Sequence, residues 1–404
     1  MNTPQITPTP SFFRPAAFLA GFGLALALCL LIGRRAGNAD YHKDFVRFHP
    51  MIGPESYYYP TVREMCSIVR AHCRSDQVLV IVGGNSIFYG VGQPVDQVWT
   101  KRLQELLGDR YAVVNFAFRG STPTDVGAVV AEVFRDEFPR QIYVANTGPL
   151  QPIDPIGSAP YRFMFWEAYY KGLLMRFPVR DERITDFLLQ GEGKGTKTEI
   201  VARVWLDRLL HYRDFWNYVG YNWVFTVATP YTPRLPGLLF PKKTFVDNET
   251  DYDALPFGQR FRSEINEPEM RIVRGFTELA YRHDADGRWN LEAAVQNQFR
   301  GFLKMGMPDP LKRRTLIVLS GNSPFYVKQL SLDERRRDEL GYADSLRLWR
   351  EMGYNAVKYG SDFRAEDFGD RTHLTAAGGR KVAEIVAPEI RAIAEQLGYL
   401  KKGE

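Results

Sequence analysis

Three apolar runs constrain this chain more than any other feature. Residues 78–82 (VLVIV), 112–116 and 141–145 each have the length of a strand, and none alternates apolar with polar residues. Such strands bury both faces, which requires a parallel sheet covered on each side. The stretches between them carry helical periodicity, at 95–107 and 126–134. The same grammar returns at the end of the chain, with strands at 316–319 and 355–359 and helices at 332–352 and 375–397. Strand and helix in alternation predict an α/β fold with a doubly wound, mostly parallel sheet in three layers, flavodoxin-like.

The two blocks are separated by a long stretch of different character, so the expectation is one domain split by an insertion. Residues 1–33 hold an apolar run, 34–60 a linker, 61–150 the first half of the sheet domain, 151–313 the insertion and 314–404 the second half. The insertion is rich in aromatic residues, with YRFMFWEAYY and HYRDFWNYVGYNWVF flanking the glycine-rich GEGKGTK.

With 45% hydrophobic and 25% charged residues, the 404-residue chain has the balance of a globular protein. Its net charge of +5 comes from 52 basic and 47 acidic residues spread along the chain, and no basic arm or stripe suits a nucleic acid. The three cysteines give no disulfide framework, because Cys66 and Cys73 fall in a helical stretch, where seven residues separate Cα atoms by roughly 10 Å. His72 is the only candidate ligand beside them, so no zinc site is expected. No cofactor is expected either.

From Ala16 to Gly33 the chain carries no charge, about the minimum that crosses a bilayer as a helix. A signal peptide would end in small residues, whereas Arg34 and Arg35 follow the run, so a retained single-pass anchor is expected. The positive-inside rule, with Arg34, Arg35, Lys43 and Arg47 after the run and Arg14 before it, taken alone would place the globular part in the cytoplasm. The chemistry below argues for the opposite side.

Ligands of open α/β sheets bind beyond the carboxyl ends of the strands. The residues at those positions are Gly84-Asn85-Ser86, Arg119-Gly120, Asn146, Gly321-Asn322-Ser323, and then Asp370 and His373. Gly-Asn-Ser occurs twice, each time at the end of a strand. Asp370 and His373, three apart in a turn that leads into a helix, fall on one side. The aspartate then accepts from one imidazole nitrogen while the other serves as general base to a serine hydroxyl. Ser86 could equally be a turn serine capping the helix that follows. Pro324 after Ser323 removes a neighbouring N–H donor, which favours Ser86 as the nucleophile.

This arrangement resembles the SGNH or GDSL family of esterases and acyltransferases. Its first motif stands here as Gly84-Asn85-Ser86 and its last as Asp370 to His373. Its second, a glycine after the next strand, is matched by Gly120, and its third by Val144-Ala145-Asn146-Thr147, which keeps only the asparagine. The resemblance covers both ends of the sheet domain and not the insertion. It implies Ser86 as nucleophile, His373 as general base and acid, Asp370 as the residue orienting it, and an oxyanion hole of the Ser86 backbone, Gly120 and Asn146.

The anchor, the split domain and the insertion together look like the DltD-like group, which modifies teichoic acids with D-alanine, and its relatives that acetylate exopolysaccharides. That likeness implies a membrane location, with the soluble domain facing the periplasm or cell exterior. It also implies a teichoic-acid-like or polysaccharide acceptor and a multi-spanning partner of the membrane-bound O-acyltransferase class. Arg213 and Trp216 in the insertion mix a cation with stacked aromatics, a composition suited to sugar rings or anionic polymer, or to an amphipathic helix packed in the core. Three readings follow: an envelope acyltransferase or esterase, an assembly scaffold with a vestigial site, and a cytoplasmic hydrolase.

Overall fold

The computed structural model describes residues 15–36, 45–47, 62–118, 121, 123, 126–148, 251–255, 267–279, 309–360 and 362–400. The chain divides into two compact units, Met1–Ala39 with Trp205–Pro241, and Asp40–Val204 with Lys242–Glu404. In the first unit the described part is helix α1 (Pro15–Ala36), which carries the apolar run over 22 residues. Its Phe18, Leu19, Phe22, Leu24 and Leu28 are exposed. Among the described residues, which for α1 side chains end at Leu28, no helix is long and apolar enough to cross a membrane.

The second unit opens with α2 (Val62–His72) and β1 (Val78–Val82), followed by α3 (Ser86–Tyr89), α4 (Trp99–Leu107) and β2 (Tyr111–Asn115). After α5 (Val126–Val133) and β3 (Gln141–Thr147) come α6 (Glu267–Leu279) and α7 (Asp309–Lys312). The chain closes through β4 (Thr315–Leu319), α8 (Pro324–Val327), α9 (Leu332–Glu351), β5 (Asn355–Lys358), a 3-10 turn (Ala365–Asp367) and α10 (Ala376–Gln396). The expected strands and long helices are present, with ends displaced by a few residues at most. The largest displacement is at α4, whose start moves from 95 to Trp99. Residues just before it form a turn instead, closed by Gln97 N–H donating to Pro94 O and Trp99 N–H donating to the Gln93 side chain.

All five strands are parallel, in the order β2-β1-β3-β4-β5. Each strand sends alternate residues to opposite faces. Leu79, Ile81, Val114, Tyr143 and Ile317 join a cluster with Ile68, Val129 and Trp349 from α2, α5 and α9. Val78, Val80, Val82, Ile142 and Val318 join another with Leu103, Val386 and Ile390 from α4 and α10. That is the continuous apolar run of β1 explained: every residue in it is fully buried, two against one helical layer and three against the other. Each such side chain contributes about 1.5–3 kcal/mol, so a single polar substitution in β1 would be costly.

The long helices begin at capped ends. Ser331 and Glu334 form a reciprocal capping box at α9, and Thr375 accepts from Gly378 N–H at α10. Cys66 and Cys73 are buried and not joined in a disulfide, and burial pushes the Cys73 thiol up to about 11, so it is held as an inert thiol.

The strand order carries the functional consequence. From β1 the chain runs outward to β2, then crosses to the other side of β1 and continues through β3, β4 and β5. The reversal lies between β1 and β3, and the carboxyl ends of those strands are where ligands of open parallel sheets bind. Ser86 follows β1 and Asn146 closes β3.

Candidate active site

Gly84 makes the turn out of β1. Its φ of +95° is open to glycine, and a Cβ there would lie 2.3 Å from Asn146 Oδ1. Asn85 then caps α3, its Oδ1 accepting from Ile87 N–H at 3.0 Å. Ser86 is the first residue of that short helix, partly exposed, with its own N–H free of any intrahelical bond. Two donors fix the helix from below: Trp99 Nε1–H and Asn115 Nδ2–H both reach Phe88 O, at 2.7 and 3.1 Å.

His373 arrives on the loop between the 3-10 turn and α10. Phe368 and Leu374 pair across the loop's base, and Gly369 N–H donates to His373 O at 2.9 Å. Within it, Asp370 Oδ1 accepts from the N–H groups of Thr372 and His373 at 2.8 and 2.7 Å. The other carboxylate oxygen lies 2.6 Å from His373 Nδ1, and His373 Nε2 lies 2.7 Å from Ser86 Oγ. Since a carboxylate only accepts, Nδ1 carries the proton and Nε2 is the acceptor facing the serine hydroxyl. Burial opposes ionisation of Asp370, yet the bonds from His373 and Thr372 outweigh it and hold the carboxyl below its ordinary value.

The structure thus brings Ser86, His373 and Asp370 into one hydrogen-bonded chain. Ser323 is elsewhere: it is fully buried, caps α8 by accepting from Phe325 N–H, and its own N–H donates to Arg371 O at 2.7 Å. Asn146 reaches the site by a different route from the one expected. Its Oδ1 accepts from Asn85 N–H at 3.0 Å, while Nδ2 donates to Asn85 Oδ1 at 2.8 Å and to Ser320 Oγ at 2.9 Å. Both amide hydrogens are spent, so Asn146 clamps β1 to β3 and leaves no N–H for an oxyanion. Gly120, Arg213 and Trp216 lie outside the described residues.

Residues that single-sequence reasoning missed surround the triad. Gln93 Nε2–H donates to Leu374 O, Asp253 from the insertion accepts from Ala376 N–H at 2.9 Å, and the Tyr252 ring packs against Gly92 and Gly369. None has a local signature, because each acts through a backbone atom far away in sequence. Among the described residues no group of three or more His, Cys, Asp or Glu could hold a metal.

A strand-end serine, a histidine and a carboxylate thus stand within hydrogen-bond reach of one another at the switch point of a parallel sheet, an arrangement that can activate a hydroxyl. No family model matches the chain, and neither a curated protein nor a solved structure does.

Proposed function

We propose that the chain is a serine acyl-transfer enzyme in which Ser86 is the nucleophile. The observation that carries this reading is the unbroken path Asp370–His373–Ser86, with contacts of 2.6 and 2.7 Å. In the first half-reaction Ser86 Oγ attacks an ester carbonyl carbon while its proton passes to His373 Nε2. The imidazolium that forms is stabilised by the Asp370 carboxylate. The oxyanion develops beside the Ser86 N–H at the start of α3, where the helix dipole favours negative charge. His373 then returns the proton to the leaving alkoxide, and the acyl group stays on Ser86. A second hydroxyl, activated by His373 in the same way, takes the acyl group and frees the serine.

The finer reading is SGNH-like. Its support is the order of the blocks, Gly84-Asn85-Ser86 first and Asp370 to His373 last, on a parallel α/β sheet. On it rests the DltD-like proposal: a single-pass protein, held by α1 and its uncharged run from Ala16 to Gly33, acylating or deacylating an envelope glycopolymer beside a multi-spanning acyltransferase. The scaffold reading has one observation in its favour, the commitment of Asn146 to Asn85 and Ser320, which removes one expected oxyanion donor.

A fluorophosphonate probe distinguishes the two. The enzyme reading expects one adduct per chain by intact mass, mapped to Ser86, kept in Ser323→Ala and absent from Ser86→Ala. An unlabelled wild type that also fails to release p-nitrophenol from p-nitrophenyl acetate favours the scaffold. Protease protection of the soluble region in intact spheroplasts would contradict the outward-facing topology.

A further inference from the structure

The second Gly-Asn-Ser does not supply a nucleophile, yet it meets the loop that carries Asp370 and His373. The contact is made by Arg371, the residue directly after the aspartate. Its backbone O accepts from Ser323 N–H at 2.7 Å, and its Nη1 donates to Asn322 Oδ1 at 2.8 Å. On its other edge, Nε donates to Glu269 Oε2 at 2.7 Å, an ion pair to helix α6 of the insertion. The Arg371 side chain is 16% exposed and Glu269 35%, so the pair is sheltered rather than fully solvated. One residue of the loop is therefore tied to two elements that contribute nothing to the triad itself.

The turn needs such a tie. The side chains of Asp370 and His373 bond to each other and to N–H groups of the turn itself, apart from the contact to Ser86. Those bonds shape the loop, but they do not set its distance from α3. Arg371 reaches β4's trailing loop and α6, so its planar guanidinium ties the turn to two separate elements. Lysine, a point charge, would keep the ion pair and lose the two-sided geometry.

We propose that Arg371 is a positioning residue for the Asp370–His373 dyad, and that Glu269 of the insertion and Asn322 of the second Gly-Asn-Ser are its two anchors. This rests on the reading of Ser86 as an acyl-accepting nucleophile. It gives the insertion a part in the chemistry: docking of α6 holds the histidine at hydrogen-bond distance from the serine. A displacement of about 1 Å in such a contact lowers turnover by roughly a hundredfold.

The test uses the full chain and p-nitrophenyl acetate, with two readouts. Arg371→Met is expected to lower kcat roughly 10- to 100-fold with KM within about twofold, Arg371→Lys to recover part of it, and Glu269→Gln and Asn322→Ala to give smaller losses. In parallel, the downfield proton resonance of the His373–Asp370 hydrogen bond, identified by its absence from His373→Ala, should be broadened or lost in Arg371→Met and kept in Arg371→Lys. The proposal is overturned if folded Arg371→Met keeps both kcat and the resonance. It is overturned equally if its loss of kcat follows its melting temperature and Arg371→Lys restores nothing. If Arg371→Met does not fold, Glu269→Gln and Asn322→Ala are judged by the same two readouts. Turnover retained in Ser86→Ala would sink the nucleophile assignment, and the resonance would still decide the role of Arg371.

Discussion

Nε2 of His373 and Oγ of Ser86 stand 2.7 Å apart although 287 residues separate them in the chain. Nothing local fixes that distance: α3 holds one partner and a loop after the last strand the other. The carboxylate behind the histidine sets its tautomer, so Asp370→Asn should do more than remove a charge. The asparagine amide can donate to Nδ1, which turns the imidazole proton toward Ser86. Acylation should fall roughly 10³- to 10⁴-fold, with His373→Ala at least as low. Stopped-flow release of p-nitrophenol measures it, and a loss below tenfold in Asp370→Asn would contradict the assignment. The same carboxyl is held below its unfolded value, so its contribution to stability is present above the ordinary carboxylate range. It is lost as pH falls through the folded value, and Asp370→Asn should remove that acid-side loss.

Asn146 is expected to matter for stability first. Replacing it with alanine leaves the Asn85 N–H without its acceptor and the buried Ser320 Oγ without this donor, while Asn85 Oδ1 keeps only its bond from Ile87 N–H. A destabilisation of about 1–3 kcal/mol follows, seen as a lower thermal midpoint. Because Asn85 immediately precedes Ser86, labelling by a fluorophosphonate should slow as well. An unchanged midpoint would show that the clamp between β1 and β3 is not needed.

The sheet was legible in the chain because its strands obey a strong rule: VLVIV, buried on both faces, has no polar residue to hide. The proximity of Ser86, Asp370 and His373 was legible for a related reason, since polar residues that follow the strands gather beyond the carboxyl edge of a parallel sheet. The donation of the Asn146 amide to Asn85 and Ser320 is not legible in the chain, because an amide at a strand end looks the same whether it faces a ligand or a neighbouring loop. Arg371 carries no such signal. Its partners Glu269 and Asn322 lie 102 and 49 residues away, and no spacing rule connects an arginine in a turn to a glutamate on an inserted helix. The echo of Gly-Asn-Ser was visible, and only the three-dimensional contact shows that its second copy receives the loop bearing the histidine.

Gly84 and Gly353 offer a matched pair. Both have positive φ, +95° and +91°, so alanine at either carries the strain of the left-handed region, about 1–2 kcal/mol. At Gly353 a Cβ meets nothing within 4 Å, whereas at Gly84 it meets Asn146 Oδ1 at 2.3 Å and Asn146 N at 2.7 Å. Gly84→Ala should therefore cost clearly more than Gly353→Ala in denaturant midpoint, and it alone should lower labelling of Ser86. Equal costs would mean that the turn after β1 relaxes freely.

Asp338 supplies a pH test away from the site. It lies on α9 with little exposure, and burial pushes its carboxyl up to about 6, against the attraction of Lys358 on β5 and with the repulsion of Glu339. Lys358 is an exposed residue whose ammonium lies 3.7 Å from the centre of the Tyr342 ring. A carboxyl whose folded value exceeds its unfolded one binds its proton more tightly in the native state. Stability is then highest below the unfolded value near 4, falls as pH rises toward 6, and levels off above it. Asp338→Asn should flatten that fall and raise stability at pH 7 by on the order of 2 kcal/mol, less whatever attraction Lys358 loses. Thermal midpoints of the two proteins at pH 4.5 and pH 7 measure the difference, and parallel shifts in both would show that Asp338 is ionised throughout.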